Sequence, residues 1–312
     1  MNAQTHSQPE ETGVRLRGKW HQRMALDRHV SWRAGGEAER VYVPTGITDL
    51  AEMIAQLPPI EPLLFVGLGS NLLVRDGGFA GTVVLVHPAL GKTSLVDKTC
   101  VYAEAGVASP KLASFSAGQG LAGVEFLAGV PGTVGGALTM NAGCYGGETW
   151  QLVKAVQTVD RSGTLRWRSP EDYEIGYRHV ALLDKSTQGG GQEWFVAARF
   201  NLWQDERSAV RQRIKAWLEQ RANSQPLELP NAGSVFRNPP DDYAARLIEA
   251  SGLMGKQLGG ARVSNRHANF IVNTGQASAN DIESLIYEVQ AVVKQRFGVL
   301  LETEVRIVGE AA

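Results

Sequence analysis

Five stretches of this 312-residue chain hold residue types and spacings that could do chemistry. Two are glycine loops. Gly67-Leu68-Gly69-Ser70-Asn71 leaves the apolar run Leu63-Leu64-Phe65-Val66, and Gly129-Val130-Pro131-Gly132-Thr133-Val134-Gly135-Gly136 comes later. Glycine lets backbone N–H groups approach phosphate oxygens, and Ser70 and Thr133 add hydroxyl donors. A single loop of this kind is better explained by a tight turn. Two loops are another matter, because the second lies in a stretch, Phe126 to Gly147, that lacks Asp, Glu, Lys and Arg. Together they point to a large dinucleotide with an apolar ring.

The third stretch is Asn231-Ala232-Gly233-Ser234-Val235-Phe236-Arg237-Asn238-Pro239. No Gly-x-Ser-x-Gly elbow surrounds Ser234, which argues against a hydrolase nucleophile, and a structural turn stays open. The fourth is Tyr177-Arg178, where an arginine is by default a surface or salt-bridge residue. The fifth is Leu301 to Val308. Alternation puts Leu301, Thr303, Val305 and Ile307 on one face and Glu302, Glu304 and Arg306 on the other, and alone these carboxylates read as a solvated face. Three familiar motifs fail. The third glycine position of a Rossmann loop is Leu72, Val86 stands where a P-loop on Gly91-Lys92-Thr93 needs its first glycine, and the six histidines show no paired metal spacing.

These stretches need elements to position them. Ala38 to Val43 and Thr82 to His87 read as strands. Thr48 is a candidate cap for a helix carrying Leu50, Met53, Ile54 and Leu57, stopped by Pro58 and Pro59. Ser109-Pro110 marks a further helix start. Strand-like pieces recur at Val153 to Val159, Leu165 to Trp167 and Trp194 to Leu202, with a turn at Gly189-Gly190-Gly191. Val210, Ile214, Trp217 and Leu218 share a helical face, and Ser224 to Pro230 is a linker. Asp241 or Asp242 is expected to cap a helix closed by Gly252. The clearest helix runs from Ile282 to Phe297 and is closed by Gly298; Val299 to Val308 follows as a strand. Strands and helices mix without strict alternation, which favours α+β.

Composition narrows the class. Lys+Arg 31 against Asp+Glu 32 leaves a net charge of -1, without the basic footprint of a nucleic-acid binder. Cys100 and Cys144 lie far apart, which suits a reducing cytosol rather than a disulfide scaffold. Met1 to Gly18 is polar, with no apolar core of a secretory signal, and reads as a tail. The uncharged stretch holds seven glycines, Pro131 and Asn141, which makes it a poor membrane helix.

Taken in order, the motifs resemble the family of UDP-N-acetylenolpyruvoylglucosamine reductases, also called UDP-N-acetylmuramate dehydrogenases. The resemblance runs from about Ser31 to Gly309. It is carried by Gly35-Gly36, the two glycine loops, Asn141-Ala-Gly-x-Tyr-Gly146, Tyr177-Arg178, Ala232 to Pro239, Gly259-Gly-Ala261, His267 to Asn273 and Leu301 to Val308. Each is weak alone; the order is specific. It implies an α+β fold with a FAD-binding domain of the vanillyl-alcohol-oxidase (PCMH) type and a C-terminal α+β substrate domain. The expected division is a tail at 1–18, a FAD-binding region at 19–203 with a split near 100, and a substrate-binding domain at 204–312. The resemblance further implies FAD, NADPH as hydride donor, and UDP-N-acetylglucosamine enolpyruvate as substrate, in the cytoplasm, with no nucleic acid, membrane or metal partner.

Carried over by position, the catalytic residues are Arg178, Ser234 and Glu304. Gly67, Gly69, Ser70, Asn71, Gly132, Thr133, Gly135, Gly136, Asn141 and Gly143 are expected to hold the cofactor. Tyr145, Arg237, Asn238 and His267 fall near the substrate. The chain departs from many members at Val180, where they have serine. The short stretch from Val180 to Trp194 matches the family's second type, which lacks an inserted loop. Arginine suits a substrate carboxylate because it is bidentate and always charged. Another FAD oxidase of the same fold, or a nucleotide-sugar-binding regulator without flavin, is the competing reading.

Overall fold

The computed structural model describes residues 15–184 and 192–312. The expected Gly189–Gly191 turn, most of the tail and the middle of the Val180–Trp194 stretch lie outside the described residues.

Two sheets and a C-terminal unit build the molecule. The strand Phe79–Leu85 is the most buried of the first sheet, and it sits inside it. Leu63–Val66 and Glu37–Val43 flank it in parallel, and Lys19–Ala25 adds an antiparallel edge. The second sheet is antiparallel, in the order Leu165–Arg168, Val153–Asp160, Glu193–Asn201, Cys100–Glu104 and Thr93–Leu95. The helix Ile47–Gln56 joins the two, because Leu50, Met53 and Ile54 pack into one core with Val84 of the first sheet and Val159 and Val196 of the second. Across the second sheet, the helices Ser109–Gly118 and Val134–Thr139 bury Leu112, Ala113 and Leu138 beside Val156 and Phe200.

The C-terminal unit pairs a small sheet, Gln257–Leu258, Ala261–Val263 and Ile271–Asn273, with the helices Ala244–Ala250 and Ala279–Phe297. The long helix lays Ile282, Leu285, Ile286, Val289 and Val293 on that core, and Gly298 ends it at φ 72°. This core is completed by residues from far upstream: Trp32, Ala34 and Leu73 are buried in it. The Trp32 indole N–H donates to the Ile271 carbonyl at 2.7 Å, and the Asn273 amide donates to the Trp32 carbonyl at 2.9 Å. Asp76 accepts from the Ala279 and Asn280 amides at the start of the long helix, at 3.0 and 2.8 Å. The final strand, Arg306–Val308, pairs in parallel with Leu72–Val74.

The structure corrects several expectations. The helix expected to begin at Thr48 starts at Ile47 behind Gly46, and the polar anchor is the buried Asp49, which accepts from the Thr45 amide at 2.8 Å and the Tyr42 hydroxyl at 2.9 Å. Asp242 caps nothing. It pairs with Arg246 one turn on, and the Asn238 side chain accepts from the Ala244 amide at 3.1 Å instead. Regular strand covers only Arg306–Val308 of the expected Val299–Val308, since Leu301 to Val305 lies against the Ser234 loop through isolated contacts. Lys19–Ala25, unforeseen, is a strand. The helix Arg207–Ser224 buries Val210 against Ala117 and Ala122, on the side of the second sheet.

Candidate active site

Both glycine loops open on one cleft of about 660 Å³. The strand Leu63–Val66 delivers the first loop to its edge. Gly69 takes φ +60°, and a Cβ there would sit 2.2 Å from the His29 carbonyl oxygen, so no other residue fits. The loops touch: Ser70 Oγ donates to the Pro131 carbonyl at 3.1 Å, and a Cβ on Gly132, at φ +113°, would sit 2.6 Å from Ser70 Oγ. Among the described residues, no acceptor reaches the backbone N–H groups of Gly67 through Asn71. A Cβ on Gly136 would meet nothing closer than Thr133 Oγ1 at 4.0 Å, so the cleft passes directly over that backbone. Unengaged amides beside bare backbone are what a phosphate chain requires. The apolar part of the wall is made by Val130, Ala137, Val180, Leu182 and the stacked pair Phe65–Trp194 at 5.0 Å between ring centres. Among the described residues, the buried Tyr173 hydroxyl in the wall has no hydrogen-bond partner. A flavin dinucleotide fits this cleft in both its phosphates and its ring.

Arg178 enters at the tip of a hairpin. Tyr173–Gly176 and His179–Leu182 pair antiparallel, leaving Tyr177-Arg178 as a two-residue turn with Arg178 at φ +53°. Its Nε donates to Glu304 Oε1 at 2.7 Å, Nη2 to the Gly143 carbonyl at 2.9 Å and Nη1 to the Asn141 carbonyl at 3.3 Å. Three of its five N–H groups are thereby engaged and two remain. Glu304 is far from the solvated face that alternation suggested. Both side chains of the pair are 16% exposed. Burial pushes the Glu304 carboxyl up from its ordinary value, with the Arg178 charge opposing.

Ser234 reaches the same cleft between Gly233 and Val235. Among the described residues its hydroxyl makes no hydrogen bond. Its loop is fixed by the buried Asn269, whose side chain accepts from the Phe236 amide at 3.0 Å and donates to the Phe236 carbonyl at 2.8 Å. The Glu304 amide donates to the Val235 carbonyl at 2.8 Å, which holds serine and glutamate side by side.

The structure therefore brings Gly67, Gly69, Ser70, Asn71, Gly132, Thr133, Gly135, Gly136, Gly143, Arg178, Ser234 and Glu304 onto one cleft. Asn141 stands behind it: the side chain donates to Glu148 at 3.1 Å and to the Gly176 carbonyl at 3.0 Å, accepts from the Trp150 amide, and leaves its own carbonyl for Arg178. Tyr145 stacks on Trp217 at 4.3 Å, outside the lining. Arg237 faces Glu302 at 3.8 Å, Asn238 caps the Ala244 helix, and His267 packs edge-on to Phe270, a lining residue, with burial lowering its imidazole pKa. Sequence reasoning missed Tyr173, Trp194 and Arg306 in the lining. The two aromatics carry no signal that separates them from ordinary core residues.

Fold and cleft together define an FAD-dependent oxidoreductase with a flavin domain of the vanillyl-alcohol-oxidase type. Residues 38–169 match the family model of the FAD binding domain, and residues 225–308 match that of the UDP-N-acetylenolpyruvoylglucosamine reductase C-terminal domain. UDP-N-acetylenolpyruvoylglucosamine reductases of Thiobacillus denitrificans and Methylococcus capsulatus are each 54% identical to the chain, over 95% and 96% of its length and 94% and 96% of theirs. The crystal structure of the reductase from Thermus caldophilus superposes with a TM-score of 0.77 at 30% identity, covering 93% of this chain and 98% of that one. The chain belongs to the UDP-N-acetylenolpyruvoylglucosamine reductase family. Among the described residues, no helix is long and apolar enough to cross a membrane.

Proposed function

We infer that the chain reduces UDP-N-acetylglucosamine enolpyruvate to UDP-N-acetylmuramate with NADPH, a cytoplasmic step of peptidoglycan precursor synthesis. The carrying observation is that the Arg178–Glu304 pair and the unengaged Ser234 hydroxyl face the cleft the glycine loops line. Bound FAD would supply the hydride-transfer chemistry. The backbone amides of Gly67 to Asn71, with Gly132, Thr133, Gly135 and Gly136, would hold its phosphates.

The protein's part is charge and position. The two remaining N–H groups of Arg178 grip the enolpyruvyl carboxylate and stabilise the negative charge that grows there. Glu304 binds Arg178 through Oε1, and among the described residues Oε2 has no hydrogen-bond partner, so it can carry a proton toward that carboxylate; burial raises the carboxyl pKa and favours this form. Ser234 Oγ donates the proton that the neighbouring substrate carbon needs. The apolar walls keep water from quenching the reaction. Tyr145, Arg237, Asn238 and His267, which stand outside the cleft lining, are assigned to the nucleotide-sugar portion. The substrate unit is assigned to begin near residue 225 rather than 204, because the helix Arg207–Ser224 packs against the second sheet's helices.

The test is direct. The purified yellow protein should bleach when NADPH is added without oxygen, and recover its colour when the enolpyruvyl sugar nucleotide follows. Excess of that nucleotide should inhibit bleaching, because both ligands approach one cleft. A bleached flavin that stays bleached with the enolpyruvyl compound refutes the reading.

A further inference from the structure

Asn71 ends the first glycine loop, yet its side chain turns away from the phosphate cradle. Its Nδ2 donates to the Glu304 carbonyl at 3.0 Å, across 233 positions of sequence. Its own carbonyl accepts from the Arg306 amide at 3.0 Å. One residue thus grips the chain on both sides of Val305. Among the described residues, no other donor reaches the Glu304 carbonyl. Regular strand begins only at Arg306, so no ladder holds Glu304 in place. Its amide is tied to Val235 of the Ser234 loop and its carbonyl to the glycine loop, and these two bonds fix where the carboxyl meets Arg178.

We propose that Asn71 is a positioning residue for Glu304, its side-chain amide linking the geometry of the first glycine loop to the carboxyl that faces Arg178. This rests on the site reading given above. The loop that carries Asn71 also presents the unengaged amides, so a ligand drawing on those amides sets the place of Asn71, and Asn71 sets the place of Glu304. The residue touches neither reacting atom. Its effect belongs to the step in which the enolpyruvyl compound is reduced, and not to reduction of the flavin by NADPH.

The test uses holoenzyme carrying Asn71→Leu, which keeps the branched side-chain shape, stays uncharged and removes the N–H donor, and Asn71→Ala as a second variant. Three readings are taken: the two half-reactions by stopped flow, FAD release on dilution by flavin fluorescence, and hydrogen exchange at the Glu304 and Val305 amides. A displacement of about 1 Å at a reacting group costs on the order of 10²-fold, so reoxidation should slow by about 10- to 10²-fold. Flavin reduction and FAD release should stay near wild type, and exchange at Glu304 should quicken. Faster FAD release with unchanged reoxidation would make Asn71 a cofactor ligand and overturn the proposal. Equal slowing of both half-reactions would make it merely structural and overturn the proposal too, as would unchanged rates and exchange. A wild-type holoenzyme that the enolpyruvyl compound cannot reoxidise overturns the proposed function instead; exchange at Glu304 then decides the link by itself.

Discussion

Replacing Arg178 with lysine separates charge from shape at the centre of the site. Arginine meets three acceptors at once, Glu304 at 2.7 Å, Gly143 at 2.9 Å and Asn141 at 3.3 Å, and keeps two N–H groups for substrate. An ammonium group has three donors at a single point. It can keep Glu304 or reach the substrate carboxylate, but it cannot span both carbonyls as a planar fork does. Loss of one oriented donor at a developing anion costs ~2–4 kcal/mol. At ~1.4 kcal/mol per decade, reoxidation by the enolpyruvyl substrate should slow by about 30-fold to 10³-fold. Reduction by NADPH, which builds no charge on that carboxylate, should change little. The pH profile gives a second reading. Burial raises the Glu304 carboxyl and Arg178 opposes it, so a weaker partner lets the carboxyl rise further. The limb of the reoxidation profile that reports Glu304 should therefore move to higher pH in Arg178→Lys. Anaerobic stopped-flow absorbance of the flavin, with each half-reaction followed separately, measures both effects. Equal slowing of the two half-reactions, or an unmoved reoxidation rate, would refute the role given to Arg178.

Ser234→Ala should fold, stay yellow and accept electrons from NADPH, while reoxidation slows by at least ~10²-fold, the lower worth of a positioned general acid; a wild-type reoxidation rate in the single-turnover assay would remove serine from the mechanism. Gly136→Val puts a Cβ where, outside its own helix, nothing stands nearer than Thr133 Oγ1 at 4.0 Å, so the protein should purify colourless with little change in apoprotein melting temperature; retention of bound flavin after gel filtration would show that the cofactor passes elsewhere. Burial lowers the His267 pKa, so the unfolded chain binds a proton that the folded one resists, and stability falls as pH drops through ~6.5. His267→Gln should flatten that fall in melting temperature between pH ~7.5 and ~5, and an identical slope in both proteins would contradict the assignment.

What the sequence made legible is what local pattern controls. The helix Ala279–Phe297 could be read from its apolar spacing and its terminal glycine, and the glycine loops from their composition, because both are set within a few residues. Lys19–Ala25 escaped notice for the converse reason. Its side chains are nearly all exposed, so no alternation marks it, and it is a strand only because Glu37–Val43 offers hydrogen bonds. Glu304 is the more instructive case. Alternation placed it correctly opposite Leu301 and Val305, yet a face that reads as solvated is buried by partners 126 and 233 positions away. The same holds for Asp242, where a helix-start signal was present but the nearby Arg246 claimed the carboxylate.

The placement of Trp32 and Leu73 inside the C-terminal core has a consequence for how the chain is made. A ribosome releases Trp32 more than two hundred residues before Ile271, and the strand Leu72–Val74 must wait just as long for Arg306–Val308. Such distant pairings form slowly, and until they form the nascent chain carries an unmatched strand edge and an indole with no pocket. Vectorial folding of the first half to completion is thus closed to this protein. Its early half must remain soluble while unfinished, and the polar edge strand Lys19–Ala25, with Lys19, His21, Gln22 and Arg23, gives the partly built sheet a border that discourages pairing with other chains.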